Sequence, residues 1–200
     1  MLPLLLRAVL LAAFCLPATA QVIEYEANGH KYQTLTRKGL TVIITHLSGH
    51  VHDFGLIQVS VSNGSDMYWT VRPQDFAYVR TEPVHGLPEK QVVDYLLDKA
   101  SNSDVIGLVS NYESSLYAIP NMRTNNGYEQ RRRSAFSAGM PVRLKAAAAA
   151  SAIALGSTRL APGQSTDGAV FIPYSHDLKA LTGGHVIFTC NGETFEFKTE

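Results

Sequence analysis

The chain has 200 residues, and its 17 Lys and Arg side chains balance 17 Asp and Glu side chains, so the formal net charge is zero. Proteins that bind nucleic acids or membrane surfaces in general use an excess of positive charge to attract phosphate groups. The composition therefore argues against both of these classes and leaves a globular domain with a substantial core.

The first 20 residues have the organisation of a cleavable secretory signal peptide. Arg7 precedes an apolar run over residues 8–16, and the small residues Ala-Thr-Ala at 18–20 form a typical cleavage site. The apolar run is shorter than the about 20 residues of a membrane-spanning helix. Cys15 follows a phenylalanine, whereas a lipidated cysteine prefers a small preceding residue. We therefore expect cleavage after Ala20 and an exported protein, periplasmic or extracellular.

Cleavage would leave residues 21–200 as a single domain whose only cysteine is Cys190. Such a domain folds without an intramolecular disulfide, and it cannot form a zinc site that needs two or more cysteines. No later apolar run is long enough to span a membrane. Cys190 is interpreted as a small buried residue, the alternative being a free thiol that pairs between molecules.

The residues from 21 to 86 favour short antiparallel strands. An Asn-Gly pair at 28–29 predicts an opening hairpin. Runs rich in β-branched and aromatic residues predict strands at 40–47, 56–62, 67–71 and 76–80. In the second of these strands, alternation puts Ile57, Val59 and Val61 on a buried face. It turns the intervening Gln58, Ser60 and Ser62 outward.

The pattern changes to helical near residue 88. The predicted helices cover residues 89–97, 103–116, 128–136 and 141–155. Ser103 or Asp104 is expected to cap the second helix, and Pro141 opens the last, alanine-rich one. We interpret residues 89–156 as a helical insertion in a β domain.

The clearest local prediction is a closing hairpin around the Asn-Gly pair at 191–192. A two-residue turn pairs Cys190 with Glu193, Phe188 with Phe195, and Val186 with Phe197. That register places the apolar side chains on one face, so the turn and the hydrophobic pattern agree. With a strand at 168–172, the chain predicts a mostly β fold: an immunoglobulin-like antiparallel β-sandwich carrying the helical insertion.

Two segments resemble a family of small secreted bacterial domains. The first is QVSVSNGSDMYWTVRPQDFAYV, which starts at residue 58, and the second is RLAPGQSTDGAVFIPY, which starts at residue 159. Both are similar to elements of the domain-of-unknown-function 4352 type. The resemblance covers about a third of residues 21–200. It implies a β-sandwich and export, and it implies no chemistry and no functional residues.

A histidine cluster is the sharpest chemical feature. Even-numbered residues of an extended chain share a face, so His46, His50 and His52 could converge beside Asp53. Three imidazoles and a carboxylate are suitable ligands for zinc or copper. A Ser-Gly pair between the first two histidines indicates a turn that would break this parity. The alternative is that these histidines are only solvated.

Charge is segregated within the helical insertion. Residues 89–119 are mainly acidic, whereas residues 120–145 are mainly basic and include Arg131, Arg132 and Arg133. The three arginines could bind an anionic surface or an acidic envelope protein. The alternative, which we favour, is that the acidic and basic segments lie side by side and neutralise each other.

The chain contains neither a G-x-S-x-G nucleophile elbow nor an H-E-x-x-H zinc motif. Trp69 lies among strand residues and is expected to be structural. The first hypothesis is therefore a non-enzymatic binding or structural module of the cell envelope, without a cofactor. Two alternatives stay open. One is a metal-binding protein that uses the histidine cluster, and the other is a hydrolase whose site assembles only in the folded chain.

Overall fold

A computed structural model describes residues 21–116, 139–175, 178 and 180–199. The predicted signal peptide and the predicted helical stretch at 128–136 lie outside these residues. So do the three arginines at 131–133.

Eleven strands are described, and they are listed here in chain order. They are β1 (Ile23–Ala27), β2 (His30–Arg37), β3 (Leu40–Val51), β4 (Phe54–Asn63), β5 (Trp69–Val71), β6 (Phe76–Val79), β7 (Pro83–His85), β8 (Thr158–Leu160), β9 (Ser165–Pro173), β10 (His185–Cys190) and β11 (Glu193–Lys198). A five-stranded sheet has the order β1-β2-β3-β4-β9, and a four-stranded sheet has the order β11-β10-β6-β7. Strands β5 and β8 form a separate pair, and all strand pairs are antiparallel.

Asn-Gly turns close both predicted hairpins. Asn28 and Gly29 have φ values of 50° and 75°, and Asn191 and Gly192 have φ values of 48° and 80°. Positive φ at both central positions is what a type I′ turn requires, and Asn-Gly accepts it at low cost. The predicted register of the second hairpin is confirmed pair by pair.

Three described helices cover the outer face of the five-stranded sheet. They are α1 (Glu89–Lys99), α2 (Asn102–Leu116) and α3 (Val142–Ile153). Pro88 and Pro141 precede α1 and α3. The cap of α2 was predicted at Ser103 or Asp104, but the structure uses Ser101. The Ser101 hydroxyl accepts a bond from the Asp104 N–H, and the Asp104 carboxylate accepts one from the Ser101 N–H.

Two hydrophobic cores lie on opposite faces of the five-stranded sheet. The inner core, between the two sheets, includes Val42, Ile44, Val59, Val61, Phe76, Val186, Phe188 and Phe197. The outer core, between the first sheet and the helices, includes Leu47, Leu56, Phe171, Val92, Leu96, Leu108, Ala150 and Ile153. The predicted mostly β fold with a helical insertion is therefore confirmed as two packed sheets and a covering layer of helices. The immunoglobulin-like strand order is not confirmed, because β1 to β4 are consecutive neighbours in one sheet.

The outward placement of polar residues on β4 was partly wrong. Gln58 is 1% exposed and Ser60 is 6% exposed, while Ser62 is exposed as predicted. The alternation itself is correct, and these side chains do point away from the inner core. They are buried because the helices cover that face, which sequence periodicity alone does not show.

The far edge of the first sheet is closed by backbone contacts. The N–H groups of Leu87 and Leu155 donate to the carbonyls of Phe171 and Ala169 on β9, each at 2.9 Å. Gly168 permits this approach, since a Cβ there would lie 2.6 Å from the Leu155 Cα. The opposite edge of the same sheet is β1.

Candidate functional site

A cleft of about 450 Å³ opens beside β1, between the first sheet and the end of β11. Its lining comes from the consecutive strands β1 to β4 of the first sheet and from β10 and β11 of the second. Ile44, Ile57 and Val186 contribute apolar surface from the inner core. Side chains of both charge signs are present as well: Glu24, Glu26, Lys31 and Lys198. The cleft therefore combines apolar walls with a few polar groups, as ligand sites commonly do.

His46 is a titratable side chain on the core side of the cleft. The ladder register places it opposite Ile57 on β4, and it lines the cleft. Burial lowers the pKa of His46 from its ordinary value of 6.5. The ring is therefore uncharged at neutral pH, with one nitrogen able to donate a hydrogen bond and the other able to accept one.

Gln33 links the two sheets across the cleft. Its Nε2 donates to Glu24 Oε1 at 2.8 Å and to the Lys198 carbonyl at 2.9 Å. Its Oε1 is buried and accepts no hydrogen bond from any residue that the structure describes. A buried amide oxygen without a donor is costly, so a ligand group that reached this atom and donated to it would remove that cost.

Two tyrosines form a stacked pair beside the cleft. Tyr25 on β1 lies opposite Tyr32 on β2, and their rings stack with centroids 5.1 Å apart and an interplanar angle of 11°. Burial, with a smaller effect from Tyr25, raises the pKa of Tyr32 to about 12. Both phenols stay protonated at neutral pH. The pair thus stabilises the β1–β2 hairpin, on the face of the first sheet opposite Gln33 and Ile44.

The structure does not gather the predicted metal ligands. The β3–β4 register shifts by two residues between His46, opposite Ile57, and His50, opposite Gly55, so these two histidines keep the same face. The ring of His50 lies 6.2 Å from that of Tyr174, and His52 lies in the following turn with φ 52°. Across the part of the chain that the structure describes, no group of three or more His, Cys, Asp or Glu side chains could hold a metal ion. The described residues therefore provide no set of ligands for the predicted zinc or copper site.

Two of the four predicted ligands do meet, at the turn between β3 and β4. His52 Nδ1 lies 3.1 Å from Asp53 Oδ2, and the Tyr95 hydroxyl on α1 donates to the same carboxylate. The bond from Tyr95, with smaller effects from His52 and then Lys99, holds the pKa of Asp53 below its ordinary value. On α2, Asp104 Oδ1 accepts the His52 N–H at 3.1 Å. These contacts fasten the turn to the helices, so we assign them a structural role.

Cys190 and Trp69 are both structural. Cys190 is buried, and its thiol donates to the Thr70 carbonyl at 3.0 Å. Burial raises the pKa of Cys190 to about 11, so the reactive thiolate is scarce at neutral pH. Trp69 is 1% exposed and donates from Nε1 to the Ser65 hydroxyl at 2.9 Å. The interpretation of both residues as core is the one that the structure supports.

Sequence reasoning missed the cleft. It assigned His46 to a metal site, and it assigned no role to Glu24, Gln33 or Lys198. Gln33 and Lys198 are 165 positions apart, and no local pattern joins them. The one available signal was the polarity of β1 and β2, where charged residues alternate with aromatic ones next to a strongly apolar β3.

Comparison with protein-family models, with curated proteins and with solved structures found no significant match. The resemblance to the domain-of-unknown-function 4352 type therefore stays a prediction. In the described part of the chain, none of the helices is both long enough and apolar enough to cross a membrane.

Proposed function

We propose that this protein is an exported, non-enzymatic binding module of the cell envelope, and that its ligand binds in the cleft beside β1. Export rests on the signal-peptide pattern of residues 1–20. The observation that carries the binding function is the cleft itself, a concave space of about 450 Å³ that joins the two sheets. Volumes of this size accommodate small molecules or a few residues of a peptide.

The cleft offers hydrogen-bonding groups for a polar ligand. The Gln33 Oε1 atom accepts no bond from the described residues, and the uncharged His46 ring can both donate and accept. Glu24 is held in place by Gln33, which in turn is anchored on the backbone of Lys198. Groups that are positioned in advance lose little entropy on binding, which favours recognition.

The test uses residues 21–200 with isotope-labelled histidine, observed by NMR. Envelope extract is separated into peptides, polysaccharides and small polar metabolites, and each fraction is titrated into the protein. We expect one fraction to shift the imidazole resonances of His46 and to leave those of His52, in the turn between β3 and β4, unchanged.

A matched pair of substitutions provides the control. Gln33→Leu removes the acceptor and the link between the sheets, so the shift at His46 should be lost or require about tenfold more ligand. Gln91→Leu makes the same change at an exposed position on α1 and should bind as the wild type does. The proposal is wrong if no fraction moves the His46 resonances, or if both variants respond as the wild type does.

A further inference from the structure

The two edge strands of the five-stranded sheet, β9 and β1, differ in the hydrogen bonds of their outward backbone groups. On β9, the backbone N–H groups of Leu87 and Leu155 occupy the outer carbonyls. On β1, the described residues make no backbone bonds outside the pairing with β2. Within β1, Ile23 is 64% exposed, and Glu24 and Glu26 are exposed as well. An uncovered edge strand is a template for another extended chain.

The turn at 28–29 determines which groups of β1 point outward. In a hairpin with a two-residue turn, the flanking pair, here Ala27 and His30, exchanges hydrogen bonds, and the pairs then alternate. Tyr25 therefore bonds inward to β2. Glu24 and Glu26 direct their N–H and C=O groups to the free edge.

The second hairpin supports this alternation. The pair that flanks its turn, Cys190 and Glu193, exchanges hydrogen bonds, and every second pair after it does the same. Lys198 belongs to one of the intervening pairs, so its carbonyl points away from β10. That carbonyl indeed accepts a bond from Gln33 of the other sheet. The rule therefore predicts the orientation of a group at the end of β11, and it applies equally to β1.

Charge disfavours antiparallel pairing of this edge with a second copy of the chain. Antiparallel pairing of two β1 strands through their outward groups sets Glu24 or Glu26 of one copy opposite Glu24 or Glu26 of the other. Every such register places like charges face to face, which destabilises the pair. A strand with basic residues opposite the two glutamates gains attraction at the same positions.

We propose that β1 is a docking edge for an extended peptide segment with basic residues at alternate positions, which adds to the sheet as a sixth strand. The peptide backbone bonds to Glu24 and Glu26, and its basic side chains lie on the cleft face beside their carboxylates. The unbonded Gln33 Oε1 atom is a nearby acceptor for a donor group of the peptide. This inference rests on the proposed function and specifies the class of ligand.

The probe is a fluorescein-labelled peptide, Val-Lys-Val-Lys-Val-Lys-Val, whose binding to residues 21–200 is measured by fluorescence anisotropy at low and moderate salt. One control replaces each lysine by glutamate. Another carries an N-methyl group on the backbone nitrogen of each lysine, which keeps the charge but removes the donors that face Glu24 and Glu26. We expect saturable binding of the probe, with each control at least about tenfold weaker.

Two variants separate backbone pairing from charge. Glu26→Pro removes an N–H that points away from β2, so the β1–β2 ladder is kept while docking weakens. Glu26→Gln keeps the N–H, and should weaken binding while reducing its dependence on salt. Glu82→Gln, at an exposed residue outside the cleft, is the control and should bind as the wild type does.

Docking at β1 is disproved if the N-methylated peptide binds as tightly as the probe, or if Glu26→Pro binds the probe as the wild type does. If an envelope fraction still shifts the His46 resonances in that case, the cleft binds another class of ligand and the proposed function survives. If neither the probe nor any fraction binds, both proposals are wrong.

Discussion

At the scale of single residues, the buried amide of Asn63 holds neighbouring segments together. Its Nδ2 donates to the carbonyls of Met67 and Leu160, and its Oδ1 accepts from the N–H and the hydroxyl of Ser65. Asn63→Ala should lower the free energy of unfolding by about 2–3 kcal/mol, because it leaves buried groups without partners. Urea denaturation measures the change. The exposed neighbour provides the control, since Ser62→Ala should stay within about 0.5 kcal/mol of the wild type.

The same contacts bear on a glycosylation motif. Asn63-Gly64-Ser65 matches the acceptor sequence, but Asn63 is 2% exposed. Its amide nitrogen is already engaged with two carbonyls. The folded protein therefore does not present this asparagine to a modifying enzyme, and the motif has a structural explanation.

Gln58 is a buried amide whose two polar atoms have no hydrogen-bond partner among the described residues. Gln58→Met keeps the length of the side chain and removes the polar atoms. It should raise the free energy of unfolding by about 1 kcal/mol, since the cost of burying the amide disappears. The measurement is urea denaturation at neutral pH. A less stable variant would show that the amide is satisfied in solution, and the prediction would then be wrong.

The carboxylate of Asp53 links pH to the turn between β3 and β4. The hydroxyl of Tyr95 lowers its pKa in the folded state, so the charged form is favoured by folding. This contribution to stability is complete above the ordinary pKa of 3.8 and is lost as the pH falls through the lower, folded value. In Tyr95→Phe, NMR titration should find the Asp53 pKa moved up towards 3.8. An unchanged pKa would show that His52 and Lys99 alone produce the shift.

At the scale of elements, the junction between α3 and β9 depends on the absence of a side chain. A Cβ on Gly168 would lie 2.6 Å from the Leu155 Cα, whereas a Cβ on Gly192 meets nothing within 4 Å. Gly168→Ala must push two backbones apart, so thermal unfolding should show a loss of about 2–3 kcal/mol. Gly192→Ala carries only the conformational cost at positive φ, about 1 kcal/mol. Equal losses in the two variants would contradict this account.

The elements differ in how much of them sequence reasoning could predict. The closing hairpin was predicted down to its register because the turn chemistry and the alternation of apolar residues agree. The burial of Gln58 and Ser60 was not predicted. A polar strand residue is predicted to face away from the core, and its sequence is the same whether water or a helix covers that face. The cap of α2 was misplaced by two or three residues, because Ser101, Ser103 and Asp104 are all suitable capping residues in close succession.

The candidate site was beyond the reach of sequence reasoning for a physical reason. Local patterns report periodicity, and the cleft is made by the relative position of two sheets. In the sequence, Gln33 is only a polar strand residue, because the carbonyl that it bonds belongs to Lys198 at the end of β11. The parity argument does not extend to His52, which follows the end of β3 in a turn with positive φ, so its side chain no longer follows the alternation of the strand.

At the scale of the whole molecule, the single cysteine of residues 21–200 can report unfolding. Cys190 is buried, and its raised pKa of about 11 keeps the thiol protonated at pH values below that. A thiol-reactive dye at pH 8 should therefore label the native protein slowly. Labelling should accelerate with urea in step with the loss of circular dichroism. Rapid labelling without denaturant would contradict the burial of Cys190.

Strand β4 lies at the centre of the molecule, between β3 and β9 within its sheet and between the two cores across it. The first eight of its ten residues, starting at Phe54, are all buried. Local fraying cannot bring its amides to water, so their protons should exchange with deuterium only when the entire chain opens. The slowest exchange rates in β4 would then measure the global free energy of unfolding directly. The amides of β1 should exchange early, and a peptide bound along that edge should slow them.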